Sequence, residues 1–169
     1  MKKSNVIIGL TNPKSPSNVG SVMRAAGCFQ VDSVLYTGER YSLAAKFNTD
    51  TKNIARHIPL VGVDNFIENL PENTQIVCVE LVEGATSLPE FQHPENAIYI
   101  FGPEDGTISN KIIEKAHSVV YVPTIGCMNL AAIVNVVLYD RLSKSKLEIA
   151  GDALIRKSRD INNKTKVVC

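Results

Sequence analysis

No CxxC pair occurs in this chain. Its four cysteines (Cys28, Cys78, Cys127, Cys169) are widely spaced, and only three histidines accompany them. This argues against a zinc site and a disulfide framework, and it predicts reduced thiols in a cytoplasmic setting with no metal. The GxGxxG fingerprint and the Walker lysine are missing, which argues against a dinucleotide or NTP cradle. No histidine lies near Cys127 in sequence, so a cysteine hydrolase has little support. No recognisable nucleophile–base set suggests a small-molecule enzyme. The opening MKKSNVIIGL is basic, but its apolar run is too short for a signal peptide. The most apolar helical stretch falls short of the roughly 20 residues that a bilayer needs, so no membrane partner is expected. Internal repeats and low-complexity segments are missing too. Net charge is +1, which neither demands nor excludes nucleic acid. Any positive surface must therefore be local.

What is present is ordinary for a globular protein: 169 residues, 44% apolar and 21% charged. That fits one domain over 1–169 with a real core. Six short apolar runs read as strands: Val6–Leu10, Val31–Tyr36, Ile58–Val63, Gln75–Leu81, Ala97–Phe101 and Ser118–Val122. Between them lie helical stretches. One runs to about Cys28, capped by Ser17 or Asn18. Asp64 caps a short one to Leu70, and Ser109 caps another to about His117. Single helical turns are expected at Leu88–Phe91 and within Glu39–Arg56. Past Arg141 the chain turns basic: Ser143–Cys169 carries seven Lys or Arg against three acidic residues. A helical tail near Asp152–Arg159 and a frayed end are expected there. The alternation predicts an α/β domain with a mostly parallel sheet flanked by helices.

The organising stretch is Tyr121–Asp140. A strand end runs through the loop Pro123–Met128 into a helix, Leu130–Leu142, that is apolar nearly all round. Only Asn135 interrupts it. Such a helix is expected to be buried on every side, in a core or between a core and a partner chain.

Parallel sheets hold ligands beyond the carboxyl ends of their strands. Three loops occupy that position here. In Asn12–Gly20, followed by Ser-Val-Met-Arg, Gly20 and Arg24 share a helix face. Arg24 could present its planar fork to a phosphate. On spacing alone, Asn18 reads first as a cap and Arg24 as a solvated charge. In Gly102–Gly106, Gly102 permits close backbone approach and Gly106 permits positive φ. Glu104 is then either a site residue or a solvated turn residue. In Pro123–Asn129, Asn129 reads as a helix cap or a ligand contact, and Cys127 as a thiol at a helix N-terminus.

Together and in this order, the three loops resemble the SpoU/TrmH family of RNA 2′-O-methyltransferases, in the SPOUT superfamily. Asn18, Gly20 and Arg24 match its first motif. Gly102, Glu104 and Gly106 match its second, and Pro123, Gly126, Asn129 and Leu130 its third. The resemblance spans about Val6 to Leu142. The family usually has serine where this chain has Cys127, and its loop from Pro123 is often longer.

The resemblance implies a C-terminal trefoil knot, a homodimer, and S-adenosylmethionine bent into the knot loops. It implies that Leu81, Gly102, Val122, Cys127 and Leu130 hold that cofactor. Asn18, Arg24, Glu104 and Asn129 would surround the reacting ribose, and Arg24 could serve the partner's site. The acceptor would be tRNA or rRNA. Lys14, Arg40, Lys46, Lys52 and Arg56, with Arg156, Lys157 and Arg159 of the tail, are the candidate RNA contacts, each otherwise a solvated charge. The competing expectations are base N-methylation and an RNA-binding dimer without catalysis.

Overall fold

The computed structural model describes residues 4–45, 58–68, 70–145 and 150–167. Seven strands form one sheet: β1 (Val6–Leu10), β2 (Ser33–Tyr36), β3 (Leu60–Gly62), β4 (Gln75–Val79), β5 (Thr86–Ser87), β6 (Ala97–Phe101) and β7 (Ser118–Tyr121). Their order is β3-β2-β1-β6-β4-β7-β5. Every pairing is parallel. The expected sheet is therefore present, with one strand more than the apolar runs indicated. β5 is two residues long and, among the described residues, pairs with β7 alone.

β1 and β6 are buried throughout, which explains their unbroken apolar sequences. Alternate residues serve two cores. Ile8, Leu10, Val77, Val79, Tyr99 and Phe101 share one with helices α1 (Pro16–Cys28) and α4 (Leu130–Ser143). Ile7, Ile76, Cys78, Ile98 and Ile100 share the other with Phe66 and Ile108. Three shorter helices complete the described fold: α2 (Arg40–Ala45), α3 (Asn110–Ile113) and α5 (Asp152–Ser158). A 3-10 turn spans Leu88–Glu90.

Several local expectations are corrected. The cap of α1 is Ser15, whose hydroxyl accepts from Asn18 N at 3.4 Å. Pro16 then takes a position whose missing N–H costs nothing, and both Ser17 and Asn18 fall inside the helix. The stretch after Asp64 forms bends and a turn rather than a helix. There the Asn65 side chain accepts from Ile67 N at 2.9 Å, closing a local turn. Helix α3 stops at Ile113 rather than near His117. His117 is already engaged with β4: its N–H donates to Ile76 O, and its Nδ1 accepts from Ile76 N.

Within the single chain, helix α4 is buried on one side. It packs on α1, and Leu130, Ala131, Val134, Val137 and Leu138 are buried. Ala132, Asn135 and Tyr139 on the other side are exposed. Its C-terminal end is pinned by a polar network. His93 bonds Tyr99 Oη at 2.7 Å and Asp140 Oδ2 at 2.8 Å, and Arg141 donates to Tyr99 Oη. Lys144 pairs with Asp140 and donates to the carbonyls of Leu88 and Phe91. No helix among the described residues is long and apolar enough to cross a membrane.

Candidate active site

Strands β4, β6 and β7 end side by side, and a pocket opens beyond their carboxyl ends. Val79, Phe101, Val122 and Leu130 supply apolar walls. Gly102, Pro103, Glu104 and Gly106 supply one rim, and Thr124, Gly126, Cys127 and Met128 the other. The structure thus brings Leu81, Gly102, Val122, Cys127 and Leu130 to one cavity. Leu81 is 56% exposed at the mouth, whereas Val122 and Leu130 are buried in the wall. Gly126 has φ of 98°, a left-handed conformation that lets the rim turn before α4.

A chain of hydrogen bonds ties the three loops together beside this pocket. Glu104 accepts from Lys14 N at 2.9 Å, Ser15 N at 3.0 Å and Asn18 Nδ2 at 3.2 Å. Asn18 Oδ1 accepts from Asn129 Nδ2 at 3.1 Å. Asn129 Oδ1 accepts from Ala131 N and Ala132 N, capping α4. These backbone donors fix the polarity of the whole chain. Asn129 must aim its oxygen at the helix, so its nitrogen faces Asn18, whose own nitrogen then faces the carboxylate. Asn129 is therefore the cap of α4, and its amide nitrogen, not used in capping, engages Asn18. Burial pushes the Glu104 carboxyl upward. The donors from Lys14, its own backbone, Ser15 and Asn18 outweigh that and hold it below its ordinary value. Glu104 thus ties the first loop to the second through three donors.

Arg24 lies apart from this chain. It is exposed on α1, six residues beyond Asn18, which is about 9 Å along the axis and about 120° round it. It has no hydrogen-bond or ion-pair partner among the described residues. Arg40 has an internal role that its sequence did not announce. Its Nη1 donates to both oxygens of Asp105 at 2.9 Å, and its Nε and Nη2 donate to Asn12 O. It thereby staples the first loop to the second. The Arg40 guanidinium, with help from Lys14, holds the Asp105 carboxyl low. Lys14 is exposed, with its ammonium 3.9 Å from Asp105. Arg156 and Lys157 are exposed on α5, with Arg159 just beyond it. Lys46, Lys52 and Arg56 lie outside the described residues.

Sequence reasoning missed Glu80, which also lines the pocket. A charge closing an apolar strand run looks the same whether solvated or built in, so no local signal marks it. Its field reaches the core: burial, and then Glu80, push the Cys78 thiol up to about 12. Cys78 is therefore inert, while Cys127 is exposed on the pocket rim.

The model of the SpoU rRNA methylase family matches residues 5–139, a span that includes all three loops. The chain belongs to that family. A curated relative, a putative TrmH family tRNA/rRNA methyltransferase of Staphylococcus saprophyticus, is 27% identical over 132 residues. Those cover 76% of this chain and 53% of the relative, so this SpoU chain spans about half the length of that protein. Among solved structures, the SpoU methyltransferase AviRb of Streptomyces viridochromogenes, in complex with AdoMet, superposes with a TM-score of 0.69. It is 18% identical, over 85% of this chain and 62% of its own. A structure concerned with 2-OH methylation of C/U34 on tRNA superposes with a TM-score of 0.68 at 20% identity. That match covers 84% of this chain and 97% of the other. At such identities the likeness shows that the fold is shared.

Proposed function

We propose that this SpoU-family protein transfers a methyl group from S-adenosylmethionine to a ribose 2′-hydroxyl of RNA, with tRNA as the first candidate and rRNA as the second. The observation that carries the reading is the Glu104–Asn18–Asn129 chain. It joins three loops far apart in sequence into one polar edge beside an apolar pocket.

The pocket suits a cationic nucleoside donor. Among the described residues its lining has two carboxylates, Glu80 and Glu104, and no cationic side chain. Its walls are apolar enough to shelter an adenine, with Leu81 at the mouth and Gly102, Val122, Cys127 and Leu130 around the rest. When bound, the sulfonium supplies an already activated methyl group. The chain's own residues must position the acceptor and manage its proton. Alignment in such a site can supply on the order of 7–11 kcal/mol of the acceleration. Asn18 and Asn129 each keep one amide N–H beyond the bonds described, and these can orient the ribose. Arg24 grips the neighbouring phosphate with its planar fork and steadies negative charge developing on the 2′-oxygen.

Arg24 stands apart from the Glu104–Asn18–Asn129 chain of its own protomer. We propose a homodimer in which one protomer's Arg24 completes its partner's site. The exposed side of α4, bearing Ala132 and Tyr139, supports this, because a largely apolar helix left half open needs a cover. A trefoil knot in the segment from β7 through α4 belongs to the same proposal. Lys144, beyond α4, bonds back to the carbonyls of Leu88 and Phe91, beside β5.

The test is direct. The purified protein is incubated with methyl-labelled S-adenosylmethionine and RNA lacking the modification, and the product is digested to nucleotides. Label is expected in a 2′-O-methylated ribose. Label in a base would replace the ribose reading, and RNA that stays unlabelled would reject methyl transfer.

A further inference from the structure

Glu80 is a carboxylate set into the pocket wall without a cation. It follows β4 directly, and its N–H still donates to Val120 O at 3.0 Å, so its backbone is fixed by the sheet. Its side chain folds back. Oε1 accepts from Leu81 N at 3.0 Å, and Oε2 accepts from Ile108 N at 3.0 Å. Ile108 is buried, so that anchor is part of the core. No Lys, Arg or His pairs with Glu80 among the described residues.

A carboxylate has about four acceptor sites, and two of these are taken by the backbone. About two remain. The other acid in the lining, Glu104, already accepts from three donors. Glu80 is therefore the lining carboxylate with more capacity left. Gly102 explains how the wall accommodates it. A methyl at that position would stand 2.8 Å from Glu80 Oε2, so glycine keeps the space that the carboxylate fills.

We propose that Glu80 is a ligand-binding residue whose open acceptor sites take the neighbouring 2′- and 3′-hydroxyls of the methyl donor's own ribose. This rests on the reading of the pocket as the donor site. The argument for the sugar is geometric. Leu81, exposed at the mouth, offers a base an apolar face, and a sugar bonded to a base held there would lie beside it. Glu80 is the neighbour of Leu81, and it touches the Gly102 wall. Two adjacent hydroxyls present a pair of O–H donors that two carboxylate oxygens match, and bonds to an ionised acceptor are the stronger kind. The same contact ties the ligand to β4 and to Ile108 at once.

The experiment is calorimetric. Wild type, Glu80→Gln and Glu80→Ala are titrated with S-adenosylmethionine and with its 2′-deoxy and 3′-deoxy counterparts. Wild type is expected to lose about tenfold or more in affinity when a hydroxyl is removed, as for a hydrogen bond to a charged group. Glu80→Ala is expected to bind the parent donor more weakly than wild type binds either deoxy form, since it loses both bonds, and to be indifferent to the missing hydroxyl. Glu80→Gln, the same size, is the variant that decides if the alanine form does not fold. Its penalty for a missing hydroxyl is expected to shrink severalfold.

Two results would overturn the proposal while leaving the donor site intact. In one, the deoxy penalty is as large in Glu80→Gln as in wild type. In the other, wild type binds the deoxy forms as tightly as the parent. A wild-type protein that binds no S-adenosylmethionine at all would take down the donor reading, and this proposal with it.

Discussion

Asn129 and Asn18, 111 positions apart in the chain, share one hydrogen bond of 3.1 Å between their side-chain amides. The same Asn129 side chain caps α4 with its oxygen. One residue therefore holds a helix end and a site residue in a single geometry. The two tasks use different atoms, so they can be separated.

Asn129→Asp keeps the capping oxygen and removes the amide donor. A helix stability within about 0.5 kcal/mol of wild type is expected, since Asp and Asn cap alike. Activity is expected to fall by about 10²-fold, because the new carboxylate faces Asn18 Oδ1 and its amide loses its orientation. Asn129→Ala loses both tasks and is expected to cost about 1 kcal/mol in stability as well. Thermal unfolding and methyl transfer, measured on the same preparations, separate the two effects. Equal activity in wild type and Asn129→Asp would remove the amide relay from the mechanism.

This linkage also marks where sequence reading stops. Strands such as Val6–Leu10 and Ala97–Phe101 were legible, because a strand buried on both faces must be apolar without interruption. Thr86–Ser87 was not, because two polar residues carry no period and earn strand geometry only from β7. Asn18 looked like a local cap because its partners, Glu104 and Asn129, lie 86 and 111 positions away. The three loops were legible as a family signature through their joint order. Glu80 was not, because its meaning comes from Ile108, which the fold brings to it across 28 positions.

Gly102→Ala tests the crowding around that carboxylate. The added methyl would meet Glu80 Oε2, the free end of a flexible side chain, so the side chain is expected to swing away. Ile108 N would then lose its acceptor in a buried setting, a cost of about 1–3 kcal/mol. A double-mutant cycle with Glu80→Ala reads this directly by chemical denaturation. The two changes should be clearly less than additive, because each removes the same bond. Additive losses would mean that Gly102 matters for another reason.

His93 sets the acid side of stability. Burial lowers its pKa from the ordinary 6.5, and this outweighs the Asp140 hydrogen bond and charge that favour protonation; Arg141 and Lys144 add to the lowering. Its side chain is 5% exposed, between Tyr99, Asp140 and the Phe91 ring. The unfolded chain therefore takes up this proton at a higher pH than the folded one. Stability from this group is full above the unfolded value and declines as pH falls through it. The urea midpoint of wild type is expected to drop between about pH 7.5 and about pH 5.5. His93→Gln, less stable at neutral pH, is expected to show a shallower drop over that interval. Parallel pH profiles for the two proteins would assign the loss to other groups.

Arg24→Lys is expected to lose most activity while S-adenosylmethionine still binds, because a point charge does not replace the planar fork at a phosphate. Calorimetry with the donor separates that outcome from misfolding. The same variant decides which protomer supplies the arginine. Arg24→Lys and Asn129→Asp, each inactive alone, are unfolded together, mixed equally and refolded, so that about half of the dimers are mixed. If Arg24 serves its partner, each mixed dimer has one site with both native residues. Activity should then return to about a quarter of wild type. If Arg24 serves its own chain, every site in every dimer carries a defect, and the mixture stays inactive. Recovery would place the arginine across the interface. Silence from mixed dimers that are shown to form would return it to its own subunit, and would require α1 to turn on RNA binding.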